Sequence, residues 1–179
     1  MVDSGEKGRA LAATEGWNEL RVAPRFFGRY EHSLDAKGRV ILPARFRGQF
    51  GAQAYVSQYQ DRCLALRTSE EFDKQLADQE QRQEQGRTER NLARVWASGS
   101  AEVDIDRQGR LAIPAYLREF AGLEVERPIL VTGALNRVEF WKPGEYERRV
   151  KPAEAQHTDG HDEPPAPTES SSPAPTAAP

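Results

Sequence analysis

Apolar positions in this chain come in short runs separated by polar tips, in an order that predicts mostly strands with brief helices. A first strand leads into Leu34, a polar tip follows, and Val40-Ile41-Leu42 has the β-branched, apolar character of a second strand. Pro43 suits the first position of a helix, where its missing N–H would have no intrahelical partner. Ala44 to Phe50 then reads as a short helix, with Phe46 and Phe50 on one face and Arg45 and Arg47 outside. A strand at Ala54 to Ser57, a hairpin tip at Gln60-Asp61-Arg62, a strand at Cys63 to Leu66 and a helix start at Glu71-Phe72 complete the unit.

The same order returns. LDAKGRVILPARFR, Leu34 to Arg47, is answered 71 positions later by IDRQGRLAIPAYLR, Ile105 to Arg118, and Gly28 and Glu31 match Gly99 and Glu102 at that spacing. Beyond the short helix the offset drifts to 75, as small loop insertions produce: Ile129 to Thr132, Leu135-Asn136-Arg137, Val138 to Trp141 and Glu145-Tyr146 complete the second copy. Two copies of one supersecondary unit form an internal pseudo-dimer. Between them, Asp73 to Ala97 has no counterpart; it is charge-rich, free of proline and sparsely apolar at Leu76, Leu92, Val95 and Trp96. That pattern predicts two helices jointed at Gly86 and laid over one face of the sheet core.

The repeated tip carries the chemistry. Asp35 can accept hydrogen bonds from backbone N–H groups two or three residues ahead, and Gly38 supplies a positive φ without steric cost. Arg39 then opens the next strand. Asp106, Gly109 and Arg110 repeat the arrangement, with Pro114, Leu117 and Leu123 behind them. One such turn would be a surface loop with a solvated arginine. Core packing accounts for the recurring apolar residues and prolines, but not for an arginine directly after both tips. A symmetric pair of rigidly mounted arginines fits a repeated ligand such as duplex DNA, where arginine reaches O6 and N7 of guanine together.

Charge agrees once the ends are set aside. The 179 residues carry a formal charge of -3, but Pro152 to Pro179 holds five acids and no base, so Met1 to Lys151 is +2. Removing Met1 to Pro24, with three bases and four acids, leaves +3 on Arg25 to Lys151. The tail, made of Pro, Ala, Ser, Thr and acids, lacks the apolar content to stay ordered. The single cysteine, Cys63, excludes an intrachain disulfide and fits a strand interior in a reducing cytoplasm. No apolar run approaches the roughly 20 residues of a membrane span, so no membrane partner is expected.

FGRYEHSLDAKGRVILPARFR in the first half and SGSAEVDIDRQGRLAIPAYLREFAGL in the second resemble the two characteristic blocks of the bacterial MraZ family of transcriptional regulators, and Val138-Glu139-Phe140-Trp141 is similar to its closing strand. The resemblance covers about Phe26 to Lys151. It implies an α+β fold: a duplicated swapped-hairpin β-barrel of the AbrB and MazE type, with short helices and a helical insertion between the repeats. The implied organisation is a flexible extension at 1–24, a first SpoVT-AbrB-like repeat with the insertion at 25–97, a second repeat at 98–151 and a disordered acidic tail at 152–179. The implied function is sequence-specific binding of double-stranded DNA at short direct repeats upstream of the division and cell-wall gene cluster, by a cytoplasmic, nucleoid-associated protein that self-associates into rings. Carried over residue by residue, Arg39 and Arg110 make the main contacts, and Asp35, Gly38, Asp106 and Gly109 shape the loops. Lys37 adds a phosphate contact; Gln108 stands at its place in the second loop, where Arg107 partly substitutes. Family members begin with Met directly before a Phe-x-Gly segment, whereas here Arg25 stands there after 24 residues. Either the extension is real or the start lies downstream, with Val22 as the alternative initiator, and N-terminal mass spectrometry of native protein decides.

Other function classes find less support. No P-loop, zincin or nucleophile-elbow motif occurs, so no catalytic residue, metal or cofactor is expected. His157-x-x-x-His161 has helical ligand spacing, but the surrounding composition argues against a helix. Cys63 has no basic neighbour in sequence to activate it. Trp96 and Trp141 read as core or subunit contacts, and Trp17 falls in the extension. An antitoxin-like module of the same fold, binding protein partners without operator recognition, is the rival reading. RNA binding is disfavoured by the lack of exposed aromatics around the loops.

Overall fold

Each repeat leaves its first strand without a partner of its own and pairs it with the third strand of the other. In the computed structural model, which describes residues 23–158, the first repeat contributes β1 (Arg29–Ser33), β2 (Arg39–Ile41), α1 (Ala44–Arg47), β3 (Gln53–Gln58) and β4 (Leu64–Arg67). A 3-10 turn at Gln60–Arg62 joins β3 to β4. The insertion forms α2 (Ser69–Gln83) and α3 (Arg87–Ser98); β5 (Ser100–Asp104), β6 (Arg110–Ala112), α4 (Ala115–Ala121), β7 (Pro128–Gly133) and β8 (Val138–Trp141) make the second repeat. Helices α5 (Pro143–Arg149) and α6 (Lys151–Thr158) close the described chain.

One antiparallel sheet runs β1-β7-β8-β4-β3-β5, and exchanging the repeats turns this order into its own reverse. β2 and β6 pair separately, Val40 opposite Leu111, as a two-stranded ribbon. The α+β class is therefore observed. A closed barrel is not: β1 and β5 remain edges, because the three-residue strands β2 and β6 spend their hydrogen bonds on each other and cannot bridge those edges.

The core lies between the sheet and ribbon. Phe26 stacks on Phe50 with ring centroids 5.0 Å apart, and Phe46 meets Phe26 and Tyr30 edge-on at 5.5 and 5.3 Å. Val40, Leu42, Leu111, Ile113 and Leu117 fill it from the ribbon and helices. The short helix expected over Ala44 to Phe50 stops at Arg47, with Gly48 as its cap, and Pro43 and Pro114 stand one position before their helices rather than inside them.

The insertion is two helices parted at Gly86, as its pattern predicts, with α2 starting at Ser69. Thr68 caps α2 by accepting the Glu71 N–H. Phe72 lies flat between Tyr55 of β3, at 4.2 Å, and Trp96 of α3, at 5.0 Å, which seats the helices on the sheet. Trp141 is buried in a second apolar cluster with Cys63 and Leu130.

The tail departs from its composition. Pro152 to Thr158, for which composition argues against order, belongs to helix α6, and Glu154 on it pairs with Arg29 at 2.9 Å. His157 is consequently helical, against expectation. Trp17, Val22 and the rest of 1–22, and His161 with the rest of 159–179, lie outside the described residues.

Candidate nucleic-acid interface

Both tips fold alike because each aspartate is surrounded by donors from the next four residues. Asp35 Oδ1 accepts the N–H groups of Lys37 and Arg39, both at 2.9 Å, and Oδ2 accepts Arg39 Nε at 2.7 Å. Asp106 Oδ1 accepts the N–H groups of Gln108 and Arg110 at 2.9 Å, and Oδ2 accepts Arg110 Nε at 2.8 Å. Gly38 and Gly109 take positive φ values of 73° and 77°, and each N–H returns to the carbonyl of its own aspartate.

These bonds set the electrostatics. The backbone N–H of Arg39, ahead of its guanidinium and the Lys37 N–H, holds the Asp35 carboxyl below its ordinary range; the Arg110 N–H and guanidinium do the same for Asp106. Each arginine spends Nε on its aspartate. Among the described residues its terminal Nη edge meets no acceptor, which leaves the edge free for a planar bidentate contact.

The ribbon decides where these edges point. Residues directly opposite in an antiparallel pair share a face, so Arg39, Ile41, Arg110 and Ala112 line one side of β2–β6 while Val40 and Leu111 line the other. The second pair is buried, and the first side is half-buried to exposed. With strands about 4.8 Å apart and residues rising about 3.4 Å, the Arg39 and Arg110 Cα atoms stand roughly 8 Å apart. Lys37 and Arg107 are exposed on the tips, and no described residue binds either side chain.

Sequence reasoning placed Arg47 outside its short helix, where it is exposed, and made nothing of Arg118; the structure lays both across the tips. Arg118 packs on Gly38 and Arg47 packs on Gly109, each against the loop of the other repeat. Their recurrence at the 71-residue spacing was the available signal. Arg47 also adds its charge to burial in lowering the pKa of His32.

One groove, about 730 Å3, is open and lined by residues such as Gln49, Thr68, Ser69, Glu70 and Asp104. Burial raises the Cys63 thiol, which suppresses the thiolate. Among the described residues no group of three or more His, Cys, Asp or Glu is placed to hold a metal ion, and no helix is long and apolar enough to cross a membrane.

Fold and site thus define a duplicated α+β protein that presents two arginine-bearing loops from one central ribbon. A family model described as "MraZ protein, putative antitoxin-like" matches residues 26–95 and 97–163, and the chain belongs to the MraZ family. A protein of Acetivibrio thermocellus named "Transcriptional regulator MraZ" is 38% identical over 122 residues, 68% of this chain and 84% of its own. The protein of that name from Thermoanaerobacter pseudethanolicus is 40% identical over 114 residues, 64% and 78% of the two chains. That from Kocuria rhizophila is 35% identical over 138 residues, 77% and 95%. These relatives are named as regulators, not as enzymes. The solution structure of PHS018 from Pyrococcus horikoshii aligns at a TM-score of 0.30 and 14% identity, over 63% of this chain and 94% of its own, a likeness too slight to bear on the fold.

Proposed function

We propose that this chain is a sequence-specific DNA-binding transcriptional regulator that reads short direct repeats upstream of the division and cell-wall gene cluster through its two D-x-x-x-R loops. The observation that carries this is the ribbon: Arg39 and Arg110 share its outer face, each braced by an aspartate through Nε and each offering its Nη edge. A two-stranded β element fits the major groove, and an arginine presented this way suits guanine. Lys37 and Arg107 flank the ribbon as phosphate contacts.

The rest of the proposal follows the family. The interleaved pairing of β1 with β7 and of β5 with β3 supports a swapped-hairpin arrangement of two repeats, at 25–97 and 98–151. Exposed Leu76, Leu92 and Val95 on the helical insertion support association into a ring, which would present several ribbons along a series of DNA repeats. The protein acts in the cytoplasm at the nucleoid.

The test is fluorescence anisotropy on a duplex from upstream of the chain's own gene against a scrambled duplex, with wild type and Arg39→Ala/Arg110→Ala, over a salt series. Selective binding that the double variant loses supports the reading. Its logarithmic salt dependence should have a slope of about -0.9 for each phosphate neutralised. Equal weak binding to both duplexes, unchanged by the substitutions, would refute operator recognition and favour the antitoxin-like module.

A further inference from the structure

We propose that Arg47 and Arg118 are positioning residues acting across the repeat boundary, each fixing the DNA loop of the other repeat. This rests on the reading of the two loops as the DNA-contacting elements.

The geometry is reciprocal and closes on itself. Leu42, at the end of the first ribbon strand, donates its N–H to the carbonyl of Gly109 at 2.8 Å. The Leu42 carbonyl accepts Arg47 Nε at 2.8 Å, and the Arg47 side chain then lies over Gly109, so near that a methyl group there would fall 2.3 Å from Nε. The second half repeats every step: Ile113 N–H to Gly38 carbonyl at 3.0 Å, Arg118 Nε to Ile113 carbonyl at 3.1 Å, and Arg118 over Gly38 with 2.8 Å left for a methyl group.

Each tip is therefore held from two sides. Its own aspartate draws the N–H groups inward, while the opposite repeat anchors the glycine carbonyl and covers the glycine face. A planar guanidinium with Nε already bonded is suited to this, because one donor fixes the plane that covers the neighbouring backbone. The glycines serve two ends here: they supply positive φ and they leave room for the arginine.

Such a role is crossed, which separates it from direct contact and from general stability. Arg118→Ala loosens Asp35–Arg39 and leaves Asp106–Arg110 as it was; Arg47→Ala does the reverse. The first measurement is amide hydrogen exchange by NMR on the full chain without DNA. Exchange at Gly38, Arg39 and Ile113 is expected to rise roughly tenfold in Arg118→Ala, with Gly109 and Arg110 unchanged. A rise in the variant's own loop, a uniform rise, or none would each overturn the proposal. Should Arg118→Ala fail to fold, Arg118→Lys, which keeps stem and charge but loses the planar Nε donor, is read the same way.

A DNA cycle completes the test. Arg118→Ala is expected to weaken operator binding roughly tenfold in wild type and in Arg110→Ala, but less than about twofold in Arg39→Ala, where the loop it serves is already disabled. Full additivity with Arg39→Ala, or rescue of affinity by Arg118→Lys with undisturbed loop amides, would make Arg118 a direct contact and sink the positioning role. If the crossed exchange appears while Arg39→Ala/Arg110→Ala still binds DNA normally, the coupling stands and the DNA reading of the loops fails.

Discussion

Val40 stands directly opposite Leu111 at the centre of the β2–β6 ribbon, and the two are equivalent positions of the repeat. The approximate twofold axis relating the halves therefore passes between them. Both side chains are almost wholly buried, so the contact joining the repeats is also part of the core. Truncating one should loosen the ribbon on which both arginines stand. Leu111→Ala is expected to lower unfolding stability by about 2–5 kcal/mol, the usual range for a buried leucine. Chemical denaturation measures it, and a loss below about 1 kcal/mol would show that this site collapses around the deletion or is not core.

Gly109→Ala and Gly38→Ala should not be equal. Both force an L residue into left-handed backbone, at about 1–2 kcal/mol each. At Gly109, however, the new methyl group meets Arg47 at 2.3 Å, whereas at Gly38 it meets Arg118 at 2.8 Å. Gly109→Ala is expected to lower Tm further, and Arg47→Ala to recover part of that loss by removing the obstruction. If Arg47→Ala and Gly109→Ala simply add in thermal denaturation, the packing of arginine on glycine is not what constrains the position.

Much of this arrangement was legible in the chain because periodicity and turn chemistry are local. The strands, the tips and the joint at Gly86 follow from neighbours within a few residues, whereas the brace of Asp35 on Arg39, four residues on, came only with the structure. Contacts between repeats were less accessible. Arg47 reads as a solvated residue on a short helix, and only the fold places Gly109 beneath it. Closure of the sheet was also beyond local pattern, since it depends on whether three-residue strands can bridge two edges. Helix α6 shows the opposite failure, where composition argued for disorder and Glu154 found Arg29 in β1.

Acid should spare the loops until unusually low pH. Asp35 and Asp106 are each held below the ordinary carboxylate value of 3.8, chiefly by the N–H of the following arginine. A carboxylate whose folded pKa is depressed contributes stability that is complete above its unfolded pKa and lost as pH falls through the folded one. The tips should be fully formed at pH 5 and loosen only below the ordinary value. Carboxyl 13C NMR resolves each titration, and midpoints at or above 3.8 would mean the N–H cradles do not persist in solution.

The helical insertion exposes more apolar surface than its sheet contacts require. Phe72 and Trp96 are committed to the stack on Tyr55, but Leu92 and Val95, one turn apart on α3, are 55% and 62% exposed, and Leu76 on α2 is 39% exposed. A helix that turns leucine and valine to water on its far face is better explained by a second surface than by its own core. If that surface belongs to another copy in the proposed ring, Leu92→Glu/Val95→Glu should reduce the assembly mass seen by native mass spectrometry. Circular dichroism should stay unchanged, because neither side chain supports the monomer. DNA affinity should then fall through lost multivalency, while the affinity of a single subunit for one repeat stays as it was. An unchanged assembly mass would move the interface elsewhere on the molecule and leave this face for a different protein.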